Sequence, residues 1–369
     1  MSDLYRSAIG ARLNKLPHLP TVAPSDGDNE EDETDDIGDL PSMPPPARRA
    51  INPEYSPVSA AGYFEQAVEV SVEASQLSFR VYYTPPSTTG GAVMVCHHGA
   101  GYSGLSFACF AKEVTAMTKG ECGVLAIDAR RHGTKPLNDT VSDENLSVDV
   151  LANDAYNLLR TIFSDPAKAP SLLLVGHSMG GSVLVRTCPM LQENKYRITG
   201  VAVLDVVEGS AIEALPHMHR LLDSRPDGFD SIEEAVEWHV QNHTIRNLLS
   251  ARISVPSLFV PSDGKDKGHA YKWRTPLRST APYWESWFQG LSSKFLVVRA
   301  ARLLVLAGTD RLDKELMIGQ MQGKFQMVVV PDTGHMVHED NPTRLAEILV
   351  EFWRRNEKVV VGVKKVGEL

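Results

Sequence analysis

Apolar and polar residues alternate with a period of two along Ala67-Val-Glu-Val-Ser-Val72 and along Leu77-Ser-Phe-Arg-Val-Tyr82, which predicts two half-exposed antiparallel strands. The pattern then changes. Ala92-Val-Met-Val-Cys96, Val124-Leu-Ala-Ile127 and Leu172-Leu-Leu-Val175 are continuously apolar, as strands covered on both faces must be. Helical spacing links them: Phe107, Ala111, Val114 and Met117 before a stop at Gly120, then Leu146, Val150, Leu151, Ala155, Leu158 and Ile162. The alternation runs on through Ile198-Thr-Gly-Val-Ala-Val-Leu204. It resumes at Arg302-Leu-Leu-Val-Leu-Ala-Gly308 and Phe325-Gln-Met-Val-Val-Val330, and a last helix opened by Pro342 turns Leu345, Ile348, Leu349 and Phe352 inward. Strand and helix in turn predict a doubly wound α/β core with a mostly parallel sheet, whose ligands sit beyond the carboxyl ends of the strands.

Between 207 and 298 the rhythm breaks into an irregular, largely helical stretch, read as a cap inserted into a core of 57–206 and 299–356. Ser231-Ile-Glu-Glu234 is a capping box opening one cap helix, and 255–269 reads as a Pro- and Gly-containing loop. Trp238, Trp273, Trp284 and Trp287 all fall in the cap, where they either wall a pocket or form its own small core. Residues 1–56 are Pro-rich, acidic and too poor in large apolar side chains to offset the entropy of ordering, so a disordered tail is expected; 357–369 form a second tail.

Charge sharpens the picture only at that tail. The formal charge is −9, and the nine acidic residues between Asp26 and Asp39, with no basic residue among them, account for all of it. The remainder is near neutral, and no basic footprint for nucleic acid is present. Cys96, Cys109, Cys122 and Cys188 lack C-x-x-C spacing, so neither structural zinc nor a disulfide framework is expected, and a reducing compartment, cytoplasm or nucleus, suits the chain. No apolar run approaches the roughly 18 residues of a membrane span, and residues 1–20 lack a signal peptide's apolar segment.

The run Leu172-Leu-Leu-Val-Gly-His-Ser-Met-Gly-Gly181 carries the candidate chemistry. A G-x-S-x-G pattern between a buried strand and an apolar helix marks a nucleophile elbow with Ser178 at its strained tip. A serine hydroxyl needs a base, and the base needs an acid to hold its tautomer. His335, directly after the last core strand, is the candidate base, with His338 the rival; His97, His98, His132 and His177 come too early in the chain and read as structural. For the acid, Asp205 and Asp310 each follow a core strand, and spacing does not choose between them. The oxyanion that forms in the transition state needs two amide donors: Met179, after the nucleophile, and Ala100 in His98-Gly-Ala-Gly101, with Gly101 in reserve.

Further segments are more distinctive than the elbow: Leu204-Asp-Val-Val-Glu-Gly209, Ile245-Arg-Asn-Leu248, Tyr283-Trp284, Trp287-Phe-Gln-Gly-Leu-Ser292 and Ile318-Gly-Gln-Met-Gln-Gly-Lys-Phe-Gln-Met327. Over 63–352 the chain resembles the protein phosphatase methylesterases, α/β-hydrolases that remove the methyl ester from the C-terminal leucine of the protein phosphatase 2A catalytic subunit. The resemblance implies the α/β-hydrolase fold, that phosphatase subunit with its methylated tail as partner, and hydrolysis through an acyl-enzyme; no cofactor and no metal are expected. It maps the nucleophile, acid and base onto Ser178, Asp205 and His335, leaving Asp310 a supporting place. Some family members carry a long acidic loop in the cap; here 255–269 is short and the acidic run is N-terminal. A C-terminal peptide substrate further suggests a groove, to which 319–326 and the cap tryptophans are assigned. Two rivals stand beside this reading: a small-molecule carboxylesterase or lipase with the same triad, and a phosphatase-sequestering protein with an idle hydrolase fold.

Overall fold

The computed structural model describes residues 51–88, 90–262, 268–308 and 312–357; the tails over 1–50 and 358–369, and Asp310, lie outside them. The two alternating runs form β1 (Gln66–Val72) and β2 (Leu77–Thr84), an antiparallel hairpin whose first strand is mostly exposed. The continuously apolar runs form β3 (Ala92–His97) and β4 (Cys122–Ile127), buried at every position, with α1 (Ala108–Thr118) between them. That helix ends where Lys119 turns left-handed at φ 51° and Gly120 follows at φ 78°. Next come α2 (Val148–Ile162), β5 (Ser171–His177), α3 (Met179–Glu193) and β6 (Ile198–Leu204).

The cap contributes α4 (Glu208–Asp223), α5 (Ile232–Gln241), α6 (Leu248–Ser254), α7 (Trp284–Phe288) and α8 (Leu291–Val297). Half of the capping box forms as expected, Ser231 Oγ accepting the Glu234 amide at 3.1 Å, while Glu234 Oε2 accepts the Asp230 amide at 2.9 Å, one residue before the expected Ser231. A small antiparallel sheet of Gly228–Phe229, Tyr271–Trp273 and Phe259–Pro261 was not predicted, and it takes up part of the expected loop. Trp238 and Trp273 pack with Phe229, Phe259 and His239 in the cap's own core. Trp284 and Trp287 are buried, and Trp287 Nε1 donates to the Leu146 carbonyl at 2.7 Å, fastening cap to core. Residues 51–56, counted with the tail by composition, are pinned to the cap as well: Arg252 Nε donates to Ser56 O at 2.6 Å and Val58 N to Arg252 O at 3.0 Å.

The core closes with β7 (Ala301–Leu306), α9 (Lys314–Met321), β8 (Gln326–Val329), the single turn α10 (Val337–Asp340) and α11 (Pro342–Glu357). Strand order is β1-β2-β4-β3-β5-β6-β7-β8, parallel from β4 to β8, and a short ninth strand, Lys135–Pro136, pairs with β2. One apolar cluster joins the sheet to α2, α3 and the cap's Trp284 and Trp287, and another joins its opposite face to α1 and α11. Burial on both faces explains why these strands lack alternation. No helix among the described residues is long and apolar enough to cross a membrane.

This order corrects the groove assignment for 319–326. The segment leads from the end of α9 to Gln326, the first residue of β8, so it sits at the amino ends of the strands, opposite Ser178. Gly319 serves packing instead: a Cβ there would lie 2.5 Å from Leu296 Cδ2.

Candidate active site

The elbow is built by close backbone approach. A Cβ on Gly176 would stand 2.3 Å from the Gly180 carbonyl oxygen, and one on Gly180 would stand 2.3 Å from the His97 oxygen, so both positions require glycine. Ser178 is held at φ 50°, ψ −119°, a conformation that costs on the order of 1–3 kcal/mol and persists because its surroundings enforce it. Its amide donates to Leu204 O at 3.0 Å and its carbonyl accepts from Gly181 N at 2.9 Å. Met179 opens α3, where an amide has no preceding helical turn to bond.

Asp205 follows β6 at φ 50°, its amide donating to Val305 O at 2.7 Å. Its carboxylate has two tasks. Oδ1 accepts the Ala307 amide at 2.7 Å, and Oδ2 accepts from His335 Nδ1 at 2.8 Å. The Asp205 side chain is 12% exposed and the His335 imidazole 54%, so the carboxylate is sheltered while the imidazole faces solvent. Ser178, Asp205 and His335 thus gather at the carboxyl ends of β5, β6 and β8. His338 lies buried behind them: it is packed between Phe107 and His177, 4.3 and 4.5 Å between ring centres, and is pushed down to about 3 by burial, then by His335.

The register of β3 against β5 pairs His97 with Gly176 and lays the 98–101 turn along the elbow. A Cβ on Gly99 would come within 3.2 Å of Ser178 Cβ. The reserve donor is excluded, because the Gly101 amide donates to His132 Nε2 at 2.9 Å. The Ala100 amide has no acceptor among the described residues. Two histidines read as merely structural hold this turn. His132 donates from Nδ1 to Arg130 O at 2.7 Å while its Nε2 accepts from Gly101; His98 donates from Nδ1 to Gly99 O at 2.7 Å while its Nε2 accepts from Ala129 at 2.9 Å. A ring that donates at one nitrogen and accepts at the other is neutral. Burial enforces this, lowering His132 to about 4 and His98 well below the usual range. Arg130, whose carbonyl accepts from His132 Nδ1, is itself anchored by a buried two-point pair with Asp154 at 2.6 and 2.9 Å. The cap contributes Leu277, whose Cδ1 lies 2.7 Å from where a Gly101 Cβ would be.

His177 joins the two halves of the site. Its Nε2 donates to the His335 carbonyl at 2.9 Å, fastening the His335 backbone one residue from Ser178. Burial first, then His338 and His335, holds this imidazole well below the usual range. Among the described residues no cluster of histidine, cysteine or carboxylate side chains is arranged to hold a metal ion.

A strained serine on an elbow, an imidazole–carboxylate pair and this strand order are the marks of an α/β hydrolase, and residues 94–348 match the family model described as the alpha/beta hydrolase family. The solved E-2-(acetamidomethylene)succinate hydrolase shares the fold at a TM-score of 0.60 and 19% identity, covering 78% of this chain and 98% of its own. Two curated relatives, both named Protein phosphatase methylesterase 1, align over 100% of this chain. The one from Cryptococcus neoformans var. neoformans serotype D is 44% identical over 96% of its own length, and that from Aspergillus fumigatus 40% over 93%. The chain belongs to the protein phosphatase methylesterase family and is a carboxylic ester hydrolase.

Proposed function

We propose that the chain hydrolyses the methyl ester on the C-terminal leucine of the protein phosphatase 2A catalytic subunit, with Ser178 as nucleophile, His335 as general base and Asp205 as its partner. One observation carries the reading: the 2.8 Å bond from His335 Nδ1 to Asp205 Oδ2. It supports an acid in Asp205-Val-Val-Glu-Gly209, the place the methylesterase resemblance implies.

The chemistry follows from that bond. Asp205 accepts a hydrogen bond from His335 Nδ1–H, which fixes the tautomer that leaves Nε2 with a lone pair for the Ser178 proton. Oγ attacks the ester carbonyl, and the amides of Met179 and Ala100 stabilise the oxyanion, each donor being worth about 10² to 10³ in rate. The imidazolium then protonates the departing methoxide, and methanol leaves. Water, deprotonated by His335, attacks the acyl-enzyme and frees the leucine carboxylate and Ser178. The exposure of His335 suits a substrate that arrives as an extended protein tail. All four cysteines are buried free thiols, which suits the cytoplasm or nucleus.

The test compares kcat/KM for purified methylated phosphatase with that for p-nitrophenyl acetate. A preference for the phosphatase supports the reading, and a strong preference for the small ester makes the chain a small-molecule esterase.

A further inference from the structure

We propose that Asp340 and Arg246 are positioning residues that hold the backbone leading into His335 and join it to the cap, an inference that rests on His335 acting as the base. The Asp340 side chain is 1% exposed, and both its oxygens are committed to amides: Oδ2 to Gly334 at 2.7 Å and Oδ1 to Arg246 at 2.7 Å. The Arg246 guanidinium approaches the same carboxylate, Nε to Oδ2 at 3.9 Å, and donates through Nη1 to Asp332 O at 3.1 Å. Asp332 is itself left-handed at φ 60°. One cap residue thus grips both ends of the turn 332–334, and the next residue is His335. The turn packs closely on this pair: a Cβ on Gly334 would stand 3.2 Å from Asp340 Oδ2, a tight contact, and 3.5 Å from Arg246 Nε, an ordinary one.

Beyond His335, the elbow supplies the opposite hold through His177 on the His335 carbonyl. The base is therefore clamped on both flanks, by the elbow on one side and the cap on the other. A second cap tether runs parallel: Glu339 Oε2 accepts from Ser250 Oγ at 2.9 Å and Ser254 Oγ at 2.7 Å, both on α6. Burying the Asp340 carboxylate is costly unless its bonds are all made, and here they are made to the two amides whose separation sets where the His335 turn sits. Catalytic geometry tolerates shifts of only about 0.5 Å, and a misplacement of about 1 Å costs about 10²-fold in rate. The distinctive Ile245-Arg-Asn-Leu248 segment gains a function in this way: it makes the seat of the cap and the place of the base one unit.

The experiment uses the full chain and p-nitrophenyl acetate, a probe small enough not to need the cap's grip. Asp340→Asn keeps one acceptor oxygen and turns the other into a donor facing an amide. Its kcat is expected to fall about 10- to 10²-fold with KM held within about twofold. The acid limb of kcat/KM should move to lower pH, because an imidazolium drawn away from the Asp205 carboxylate is less stable. Arg246→Ala, which keeps its main-chain bond to Asp340 and loses only the guanidinium, should lose about 3- to 10-fold, and the double variant should be no worse than Asp340→Asn. Wild-type kcat and acid limb in both single variants, with only the melting temperature lowered, would overturn the proposal; if Asp340→Asn does not fold, Arg246→Ala alone decides. Ser178→Ala is run beside them. A wild type no faster than Ser178→Ala sinks the catalytic reading, whereas an active wild type with unaltered Asp340→Asn and Arg246→Ala sinks the clamp alone.

Discussion

Replacing Asp205 by asparagine changes one atom, and the Ala307 amide determines the effect on catalysis. In the wild type Oδ1 accepts that amide at 2.7 Å and Oδ2 accepts from His335 Nδ1 at 2.8 Å. An asparagine has one acceptor for two donors. Turning its Nδ2 toward Ala307 would set two N–H groups face to face and leave a sheltered amide unpaired, at a cost of about 1–3 kcal/mol. The favoured rotamer therefore keeps its oxygen on Ala307 and presents N–H to His335 Nδ1. That nitrogen must then be the acceptor, so the proton moves to Nε2 and the lone pair needed by Ser178 disappears. A loss of about 10⁴ in kcat is expected, about 5 kcal/mol of transition-state stabilisation, with the fold intact. Methanol release from methylated phosphatase measures the rate, and a melting curve checks the fold. A folded Asp205→Asn variant within tenfold of wild type would refute the reasoning and move the acid to Asp310.

Packing and buried charge lead to three further expected outcomes. Gly180→Ala drives a Cβ to 2.3 Å from the His97 carbonyl oxygen, a backbone atom that cannot swing aside, and should lower the stability measured in urea by about 3 kcal/mol or more; full stability would mean the elbow is looser than described. Asp154→Ala strands Arg130, whose side chain is 9% exposed, and should cost about 3–5 kcal/mol, read in the same assay; a loss under about 1 kcal/mol would count against the pair as an anchor. Burial pushes Glu339 up to about 8, against the pull of the Ser254 and Ser250 hydroxyls. The folded state keeps a proton that the unfolded chain releases near pH ~4.3, so this contribution is present at low pH and lost as pH rises toward the folded value. Glu339→Gln lacks that loss, and its stability relative to wild type should climb between about pH 5 and pH 8, by at most about 1.4 kcal/mol per unit; a flat difference would contradict the assignment.

The parts of the fold written in local periodicity were legible in the chain. Continuous apolar runs at 92–96, 124–127 and 172–175 became strands buried on both faces, and Gly176 and Gly180 announced the elbow because their Cβ positions are filled by backbone. The cap strands escaped notice since Gly228–Phe229, Phe259–Pro261 and Tyr271–Trp273 are too short to show a period. Spacing left Asp205 and Asp310 equivalent; the bond from His335 to Asp205 spans 130 residues of chain and is visible only in three dimensions. His98 and His132 read in the chain as structural histidines without a stated task, as each bonds an amide 31 residues away. The run 318–327 was distinctive as sequence, yet distinctiveness does not say at which end of a strand a segment lies.

Ser178 is proposed to remove the methyl group from the phosphatase tail. This is tested most directly by incubating the methylated phosphatase catalytic subunit with wild type or Ser178→Ala and tracking the intact mass of the subunit together with released methanol. The account predicts that the wild type yields one methanol for each methyl ester lost, and that Ser178→Ala yields neither above the enzyme-free rate. Demethylation by Ser178→Ala at a rate near wild type, or a methyl ester untouched by the wild type, would contradict it.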